Sequence, residues 1–179
     1  VLFLSTYSVL SQSDIVSIKT FEKGNTLVVN GNSFMINGMN WDMIPIGKDA
    51  VNTNFWNKSD ELIKAGLELE MSLLKQMNVN AIRHYSDIPS KWVQYIFENY
   101  GIYTMLNHSF GRYGITINGV WEPITDYSDH NTQKVLLLEI ETVVNKYKNT
   151  PGLLLYLLGN ENNYGLFWSG AETEDFPEE

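Results

Sequence analysis

The chain has 179 residues, with 12 Lys and Arg against 21 Asp and Glu, and a formal net charge of −9 at pH 7. Hydrophobic residues make up 44% and charged residues 18%, a balance that supports a buried core and excludes intrinsic disorder as the main state. The acidic balance opposes phosphate binding, which needs clustered Lys and Arg, so we expect no nucleic-acid partner. The absence of cysteine from the sequence excludes disulfides, thiolate metal sites and cysteine nucleophiles.

Residues 1–13 predict the remainder of a secretory signal peptide. The chain begins with the apolar run Val-Leu-Phe-Leu, and the small polar residues Ser11, Gln12 and Ser13 follow it. This is the order of the apolar and cleavage regions of a signal peptide, and the alternatives are a strand or a disordered end. We therefore expect a secreted or periplasmic protein. The run is too short to span a membrane, and no later segment has about 18 apolar residues in a row.

Residues 14–38 predict a lead-in segment and a β-hairpin. Two apolar runs, 26–29 and 34–36, flank Asn30-Gly31-Asn32-Ser33. Asn-Gly favours the left-handed conformations that a tight hairpin turn needs. A short strand is expected next, over 39–42.

From residue 39 onward, segments typical of strands alternate with segments typical of helices. Ile63, Leu67, Leu74 and Met77 share one face of a predicted helix. Helices are predicted over 61–77, from a cap at Ser90 to a stop at Gly101, and over 132–148; strands over 81–85, 102–106 and 153–158; and a long polar loop over 107–129. Such alternation predicts parallel strands joined by crossover helices. Because residues 153–158 are all apolar, we expect that strand to be covered on both faces.

A carboxylate directly follows this last apolar strand. In parallel α/β folds, functional groups lie just beyond the carboxyl ends of the strands. Glu161 is expected to be partly desolvated there, which suits a general acid. Asn160 beside it offers a donor and an acceptor for a polyhydroxylated ligand. The alternative for Glu161 is the acidic first turn of a following helix.

Each earlier strand of the alternating region also ends in polar or aromatic residues. Taken singly, such residues are usually satisfied parts of a core or a loop. Four strand ends that converge with polar groups instead indicate one rim of a binding cleft. The residues are Asn40, Trp41 and Asp42 after the first strand, Arg83, His84 and Tyr85 after the second, and Asn107 and His108 after the third.

Four segments resemble the catalytic (β/α)₈ domain of glycoside hydrolase family 2, in that family's order and approximate spacing. They are Phe-Met-Ile-Asn-Gly-Met-Asn at 34–40, the run 73–84 that ends in Asn-Ala-Ile-Arg-His, Tyr-Gly-Ile-Tyr at 100–103, and the run 147–161 that ends in Gly-Asn-Glu. The resemblance covers about residue 20 to just beyond the Asn-Glu pair. It implies an α/β fold of the TIM-barrel type and membership in the wider clan of retaining glycosidases.

The resemblance also implies roles for single residues. Glu161 matches the family's acid/base, Asn160 the Asn that bonds the sugar 2-hydroxyl, and Arg83 the Arg that orients the nucleophile and holds it ionised. Further substrate contacts are implied at His84, Asn107 and His108. Asn40 is a further substrate-binding candidate because of its place at the rim. Aromatic side chains suit the apolar C–H face of a pyranose, so Trp41, Tyr164, Phe167 and Trp168 are candidates for stacking on sugar rings; packing against the next helix is the alternative for Phe167 and Trp168.

The resemblance implies that residues 39–179 form only the N-terminal half of the barrel, about four of its β/α units. A complete barrel takes typically 250 residues, and the family's nucleophile is a second Glu after strand seven, beyond this sequence. Retaining hydrolysis needs two carboxylates about 5–5.5 Å apart, so the missing half is needed for activity. The acidic residues 172–179 fit a solvated run.

The leading hypothesis is a retaining glycosidase acting on O-glycosyl bonds of a poly- or oligosaccharide, without a metal or an organic cofactor. One alternative within the clan is a cell-wall β-glucanosyltransferase, which shares the Asn-Glu pair after strand four. Another is a sugar-binding relative without catalysis. With three histidines and no His-Glu-x-x-His motif, a zinc hydrolase has no ligands.

Overall fold

A computed structural model describes residues 14–44, 54–85 and 88–162. The predicted signal remnant, residues 1–13, and the acidic segment 172–179 lie outside these ranges. Within the ranges, none of the helices is both long and apolar enough to cross a membrane.

The N-terminal part of the described chain is a small antiparallel sheet. Its strands are β1 (Val16–Phe21), β2 (Gly24–Val29) and β3 (Asn32–Ser33), in the order β1-β2-β3. Asn30 and Gly31 form the turn between β2 and β3 with φ of 50° and 83°, as a two-residue hairpin loop requires. The predicted hairpin is therefore confirmed, although its second arm is shorter than expected. Strand β1 was not predicted.

The rest of the described chain forms a parallel sheet flanked by helices. The strands β4 (Gly38–Asn40), β5 (Ala81–His84), β6 (Tyr103–His108) and β9 (Leu153–Leu158) lie in the order β4-β5-β6-β9, and every neighbouring pair is parallel. The helices are α1 (Asp60–Gln76), α2 (Ser90–Tyr100) and α3 (His130–Tyr147), with a short 3-10 turn, Phe55–Asn57, before α1. This arrangement is that of the first four units of a (β/α)₈ barrel, and it confirms the predicted fold class.

Local sequence signals explain the start of α1 and the end of α2. The Ser59 hydroxyl accepts the Leu62 N–H at the start of α1, and Gly101 ends α2 with a left-handed φ of 68°. The predicted cap at Ser90 is wrong, because Pro89 occupies the cap position and makes no side-chain bond there. On α1, Met71 completes the buried face in place of Met77, which lies past the end of the helix and is exposed.

Two apolar clusters lie on opposite faces of the parallel sheet, because successive residues of a strand point to opposite sides. On the outer face, Ile82 and Leu106 pack with the buried side chains of α1 and α2. On the inner face, Ala81 and Met105 pack with Val29 of the hairpin sheet. The hairpin sheet therefore covers part of the inner face and leaves the polar carboxyl end of the strands open.

A half-buried tyrosine, Tyr103, connects the hairpin sheet to the parallel sheet. The Tyr103 hydroxyl donates to the Asp14 carboxylate, which also accepts from Asn30 at 2.6 Å. Burial raises the pKa of Tyr103 and the bond to Asp14 raises it further, so the hydroxyl remains a donor across the physiological range. Phe34 meets the same ring edge-on, with 5.3 Å between ring centroids.

Strand β9 is less covered than its sequence predicts. Leu154 is buried, but Leu158 is 55% exposed, and most of the strand is half-buried. The physical reason is its place at the edge of the described sheet, where β6 is its one strand neighbour. Leu154 is also a bulge residue, since Thr104 pairs with Leu153 and Met105 with Leu155.

The predicted long loop at 107–129 contains a second hairpin. Strands β7 (Ile115–Ile117) and β8 (Val120–Glu122) pair antiparallel around Asn118 and Gly119, which have φ of 52° and 82°. The loop prediction is wrong here, because Asn-Gly between short apolar runs forms the same two-residue turn as Asn30-Gly31.

Gly152 lies in the turn between α3 and β9 and provides a test of this packing. Its φ is 82°, and an added Cβ would lie 2.2 Å from the Phe97 Cβ on α2. We expect Gly152→Ala to destabilise the protein by two effects, the left-handed backbone and the overlap, each costing about 1–3 kcal/mol. Urea denaturation of the protein that carries this chain measures the loss.

Gly101→Ala is the matched control for Gly152→Ala. Gly101 has a similar φ of 68°, but nothing lies within 4 Å of its added Cβ. It should therefore lose only the backbone contribution. Equal losses of stability in the two variants would show that the contact between the turn and α2 is not as described.

Candidate active site

Three polar side chains lie at the carboxyl end of the inner face. Asn40 pairs in register with Arg83, and Arg83 with Met105 on the inner face of β6. Asn107 lies two residues beyond Met105 and therefore points to the same side. The sheet thus brings Asn40, Arg83 and Asn107 to one end of the predicted barrel interior, as their positions at the strand ends predict.

Arg83 forms the centre of this group. The Asn107 Oδ1 accepts from Nε and Nη2 of Arg83 at 3.0 and 2.6 Å, and Asn160 Oδ1 accepts from the same Nη2 at 3.0 Å. The ring of Tyr85 lies 4.5 Å from the guanidinium carbon, an attractive cation–π arrangement. A planar donor fork held on two sides by amides and on its face by an aromatic ring has a defined orientation.

Asn160 is joined to three parts of the chain and retains bonding capacity. Its Oδ1 accepts from Arg83, its Nδ2 donates to the Tyr113 hydroxyl at 3.1 Å, and its backbone N–H donates to Asn162 Oδ1 at 2.7 Å. A carboxamide has two hydrogens and two lone pairs. The side chain of Asn160 can therefore form one more bond at each end, as donor and as acceptor.

Glu161 follows Asn160 directly in the turn after β9. The structure differs from the expected partial desolvation, because the residue is exposed. Its strand lies at the sheet edge, and the turn gives Glu161 a left-handed φ of 54°. For a residue other than Gly or Asn this conformation is strained and persists only where the surroundings enforce it.

His84 is placed on the outer face, away from the polar group around Arg83. It is 1% exposed, its Nδ1 lies 3.1 Å from Asp42 Oδ1, and its ring packs between Trp41 and Trp56, with centroids at 5.8 and 5.7 Å. The predicted substrate contact is therefore not supported. The physical reason is strand alternation, since Arg83 points inward and its neighbour in sequence points outward.

The same alternation separates His108 from Asn107. The His108 Nδ1 accepts from the Phe110 N–H at 3.1 Å, and its Nε2 lies 3.6 Å from the Glu139 carboxylate on α3. The side chain thus faces the helix layer and organises the loop after β6. The structure shows these contacts for His108 within the loop, and its contact with substrate stays a prediction.

The remaining predicted contacts have different outcomes. Asn40 is exposed at the strand end and stays a candidate. Trp41 is 7% exposed and packs edge-on against Trp56, so its ring offers no face to a sugar here and supports the core instead. Tyr164, Phe167 and Trp168 lie outside the described residues, and their stacking stays a prediction.

Tyr85, one of the rim residues expected from the sequence, is two residues beyond Arg83 and so shares its face, as strand periodicity predicts. Two other contributors to the site were not predicted. Tyr113 and Asn162 both bond Asn160, but they lie in a loop and a turn without periodicity. No signal in the sequence indicated them.

The assembled site has one cation, several amides and one carboxylate. Arg83, Asn107 and Asn160 form a connected polar surface, and Glu161 is the residue that follows Asn160 in the chain. Among the described residues, no group of three or more His, Asp or Glu is placed to hold a metal ion. Such a surface is suited to binding hydroxyl groups and orienting an anion, with a carboxyl nearby that can transfer a proton.

Comparison with known proteins identifies one family profile, described as glycosyl hydrolases family 2, TIM barrel domain, which matches residues 20–170. The β-galactosidase of Lactococcus lactis subsp. lactis (strain IL1403) is 28% identical over 148 residues, and that of Alteromonas mediterranea is 26% identical over 146 residues. Each alignment covers 80% of this chain, but only 13% and 12% of the respective relative.

Solved structures show the same fold. A crystal structure of the β-glucuronidase of Parabacteroides merdae with glycerol in its active site superposes with a TM-score of 0.55 at 19% identity. The match covers 87% of this chain and 17% of that chain. The sequence therefore spans a small part of the length of the proteins that it matches.

Proposed function

Since the chain belongs to glycosyl hydrolase family 2, as part of its TIM-barrel domain, we propose that the protein carrying it is a retaining glycosidase. The reaction class is hydrolysis of an O-glycosyl bond in an oligo- or polysaccharide. The observation that supports this most strongly is that Arg83 donates hydrogen bonds to Asn107 and to Asn160. Asn160 is the residue directly before Glu161 in the chain.

In the proposed reaction, Glu161 is the acid/base. It donates its proton to the glycosidic oxygen as the bond to the anomeric carbon breaks, and a second carboxylate forms a bond to that carbon. Glu161, now ionised, then removes a proton from water, whose oxygen attacks the anomeric carbon and releases the second carboxylate. The second carboxylate is expected on sequence outside this chain.

The polar group around Arg83 has two proposed tasks. Asn160 would bond the sugar 2-hydroxyl with the donor and acceptor capacity that remains after its bonds to Arg83 and Tyr113. The Arg83 guanidinium would hold the nucleophilic carboxylate ionised by its positive charge. Because Asn107 accepts two of its N–H groups, the guanidinium is positioned before the substrate arrives.

We propose a neutral β-linked sugar as the substrate, with β-galactosides as the first to test. The two relatives are named β-galactosidases. We also propose that the protein is secreted or periplasmic, because residues 1–13 resemble part of a signal peptide.

The test is the stereochemistry of the first product. Proton NMR of a reaction of the complete protein with a phenyl β-galactoside should show β-galactose first, with the α-anomer appearing only by mutarotation. Initial formation of the α-anomer would contradict the retaining mechanism. Products that are longer than the substrate would instead support the glucanosyltransferase alternative. Binding of a glycoside without turnover would support the non-catalytic, sugar-binding alternative.

A further inference from the structure

The side chain of Asn162 connects the turn that carries Asn160 and Glu161 to the loop after β6. Its Oδ1 accepts the Asn160 N–H at 2.7 Å. Its Nδ2 donates to the Tyr127 hydroxyl at 2.7 Å and lies 3.1 and 3.3 Å from the carbonyl oxygens of Phe110 and Ser109. One carboxamide therefore connects the end of β9 to the loop after β6.

The backbone around Asn162 is shaped to admit this carboxamide. Gly159 has a φ of 103°, and an added Cβ would lie 2.3 Å from Asn162 Oδ1. The Gly159 N–H donates to the His108 carbonyl at 2.8 Å, which fixes the turn against β6 from a second side. Side-chain volume at position 159 would displace the Asn162 amide from the Asn160 N–H.

Two strained residues lie on either side of the same amide. Glu161 has a φ of 54° and Phe110 a φ of 53°, both unfavourable for residues other than Gly and Asn. Such conformations cost about 1–3 kcal/mol each and persist where surrounding contacts enforce them. Asn162 bonds the residue before Glu161 and the carbonyl of Phe110 itself, so it supplies contacts of that kind at both positions.

We propose that Asn162 is a positioning residue. It holds the backbone of Glu161 in the conformation from which the Glu161 carboxyl group reaches the glycosidic oxygen. This inference rests on the proposed acid/base role of Glu161. Asn162 acts through the backbone of residues 159–161 and not by touching the sugar. Its loss should therefore impair proton transfer more than sugar binding.

The dependence of rate on the leaving group separates positioning from a general structural role. A phenolate that is a poor leaving group needs a proton from Glu161 as the bond breaks, whereas a dinitrophenolate departs without one. In the complete protein, Asn162→Ala should lower kcat/KM for a phenyl glycoside on the order of 10²-fold, the cost of a displacement of about 1 Å. For the dinitrophenyl glycoside, kcat/KM should fall less than about threefold, because that step bypasses the acid.

Three further variants complete the experiment. Tyr127→Phe removes one hydrogen-bond acceptor of Asn162 but keeps the ring, which is stacked on Phe110 with 6.0 Å between ring centroids. This variant should show the same leaving-group dependence with a smaller loss of kcat/KM. It also keeps the inference testable if Asn162→Ala does not fold. Asn145→Ala, an exposed asparagine on α3, is the control and should leave kcat/KM unchanged. Glu161→Gln should give the full leaving-group dependence.

The outcomes distinguish the positioning role of Asn162 from the proposed acid/base role of Glu161. Leaving-group-dependent losses in Asn162→Ala and Tyr127→Phe, absent in Asn145→Ala, support the positioning role. If Glu161→Gln shows the dependence but Asn162→Ala loses equally on both substrates, or loses nothing, the positioning role is overturned while the proposed function stands. If Glu161→Gln itself shows no dependence, the acid/base assignment fails, and the inference fails with it.

Discussion

Replacing Glu161 with Gln is expected to lower kcat/KM for a phenyl β-glycoside by about 10²- to 10⁴-fold, the usual contribution of a general acid. The amide has nearly the shape of the carboxyl group but cannot donate a proton to the leaving oxygen. For a dinitrophenyl glycoside, kcat/KM should change by less than about tenfold, since that leaving group departs unprotonated. Initial rates over a series of aryl leaving groups, measured with the complete protein, provide the test.

The control for this experiment is Glu141→Gln, which makes the same change at an exposed position on α3. That variant should retain the parent rates with every leaving group. In the Glu161 variant, azide should restore turnover of the dinitrophenyl substrate, because an anionic nucleophile needs no general base in the second step. Full activity of Glu161→Gln on the phenyl substrate would refute the proposed mechanism.

Replacing Asn160 with Ala is expected to lower kcat/KM for the phenyl β-glycoside by about 10²- to 10³-fold. A loss of this size is typical when an enzyme loses one hydrogen-bond donor to a charge that develops in the transition state. Bonds to the sugar 2-hydroxyl strengthen in the oxocarbenium-like transition state, so the loss should be concentrated in kcat. The carboxamide of Asn160 is held by Arg83 and Tyr113 at 3.0 and 3.1 Å, and it is therefore aligned before the sugar binds.

A substrate without the 2-hydroxyl tests the partner of Asn160 directly. With a 2-deoxyglycoside the parent protein should already be slow, and Asn160→Ala should lower kcat/KM by less than about threefold more, because the bond is absent in both cases. An equal loss on both substrates would mean that Asn160 acts through Arg83 rather than through the sugar. Tyr113→Phe, which keeps the ring and removes the hydroxyl, then measures how far the second partner contributes to the alignment.

Much of the fold, in the hairpin sheet and in the parallel sheet alike, could be predicted because its signals are local. The apolar spacing of α1, the left-handed stop at Gly101 and the Asn30-Gly31 turn depend on few neighbours, and the structure confirms them. The convergence of Arg83, Asn107 and Asn160 could be predicted from strand order alone. Residues that end neighbouring parallel strands meet at one edge whatever fills the interior.

The sequence predictions were wrong where a strand residue could face either side of the sheet, and where a contact joins distant parts of the chain. His84 directly follows Arg83 on β5 and His108 directly follows Asn107 on β6, but strand alternation turns both histidines toward the helix layer. The coverage of β9 was overestimated because apolar composition does not tell an edge strand from a central one. The hairpin of β7 and β8 contained a turn signal at Asn118-Gly119 that the polar surroundings concealed.

The sequence by itself determined that a parallel α/β sheet would form, that Asn40, Arg83, Asn107 and Asn160 would lie at or just beyond the ends of its strands, and that a glutamate would follow the last of them. Periodicity, turn residues and strand order are short-range properties, so they can be predicted without coordinates. Only the tertiary structure decided which neighbour of each pair faces inward and that Arg83 bonds both Asn107 and Asn160. It alone brought Asn162 to the loop after β6, because that contact joins residues about fifty positions apart, and no local preference encodes it.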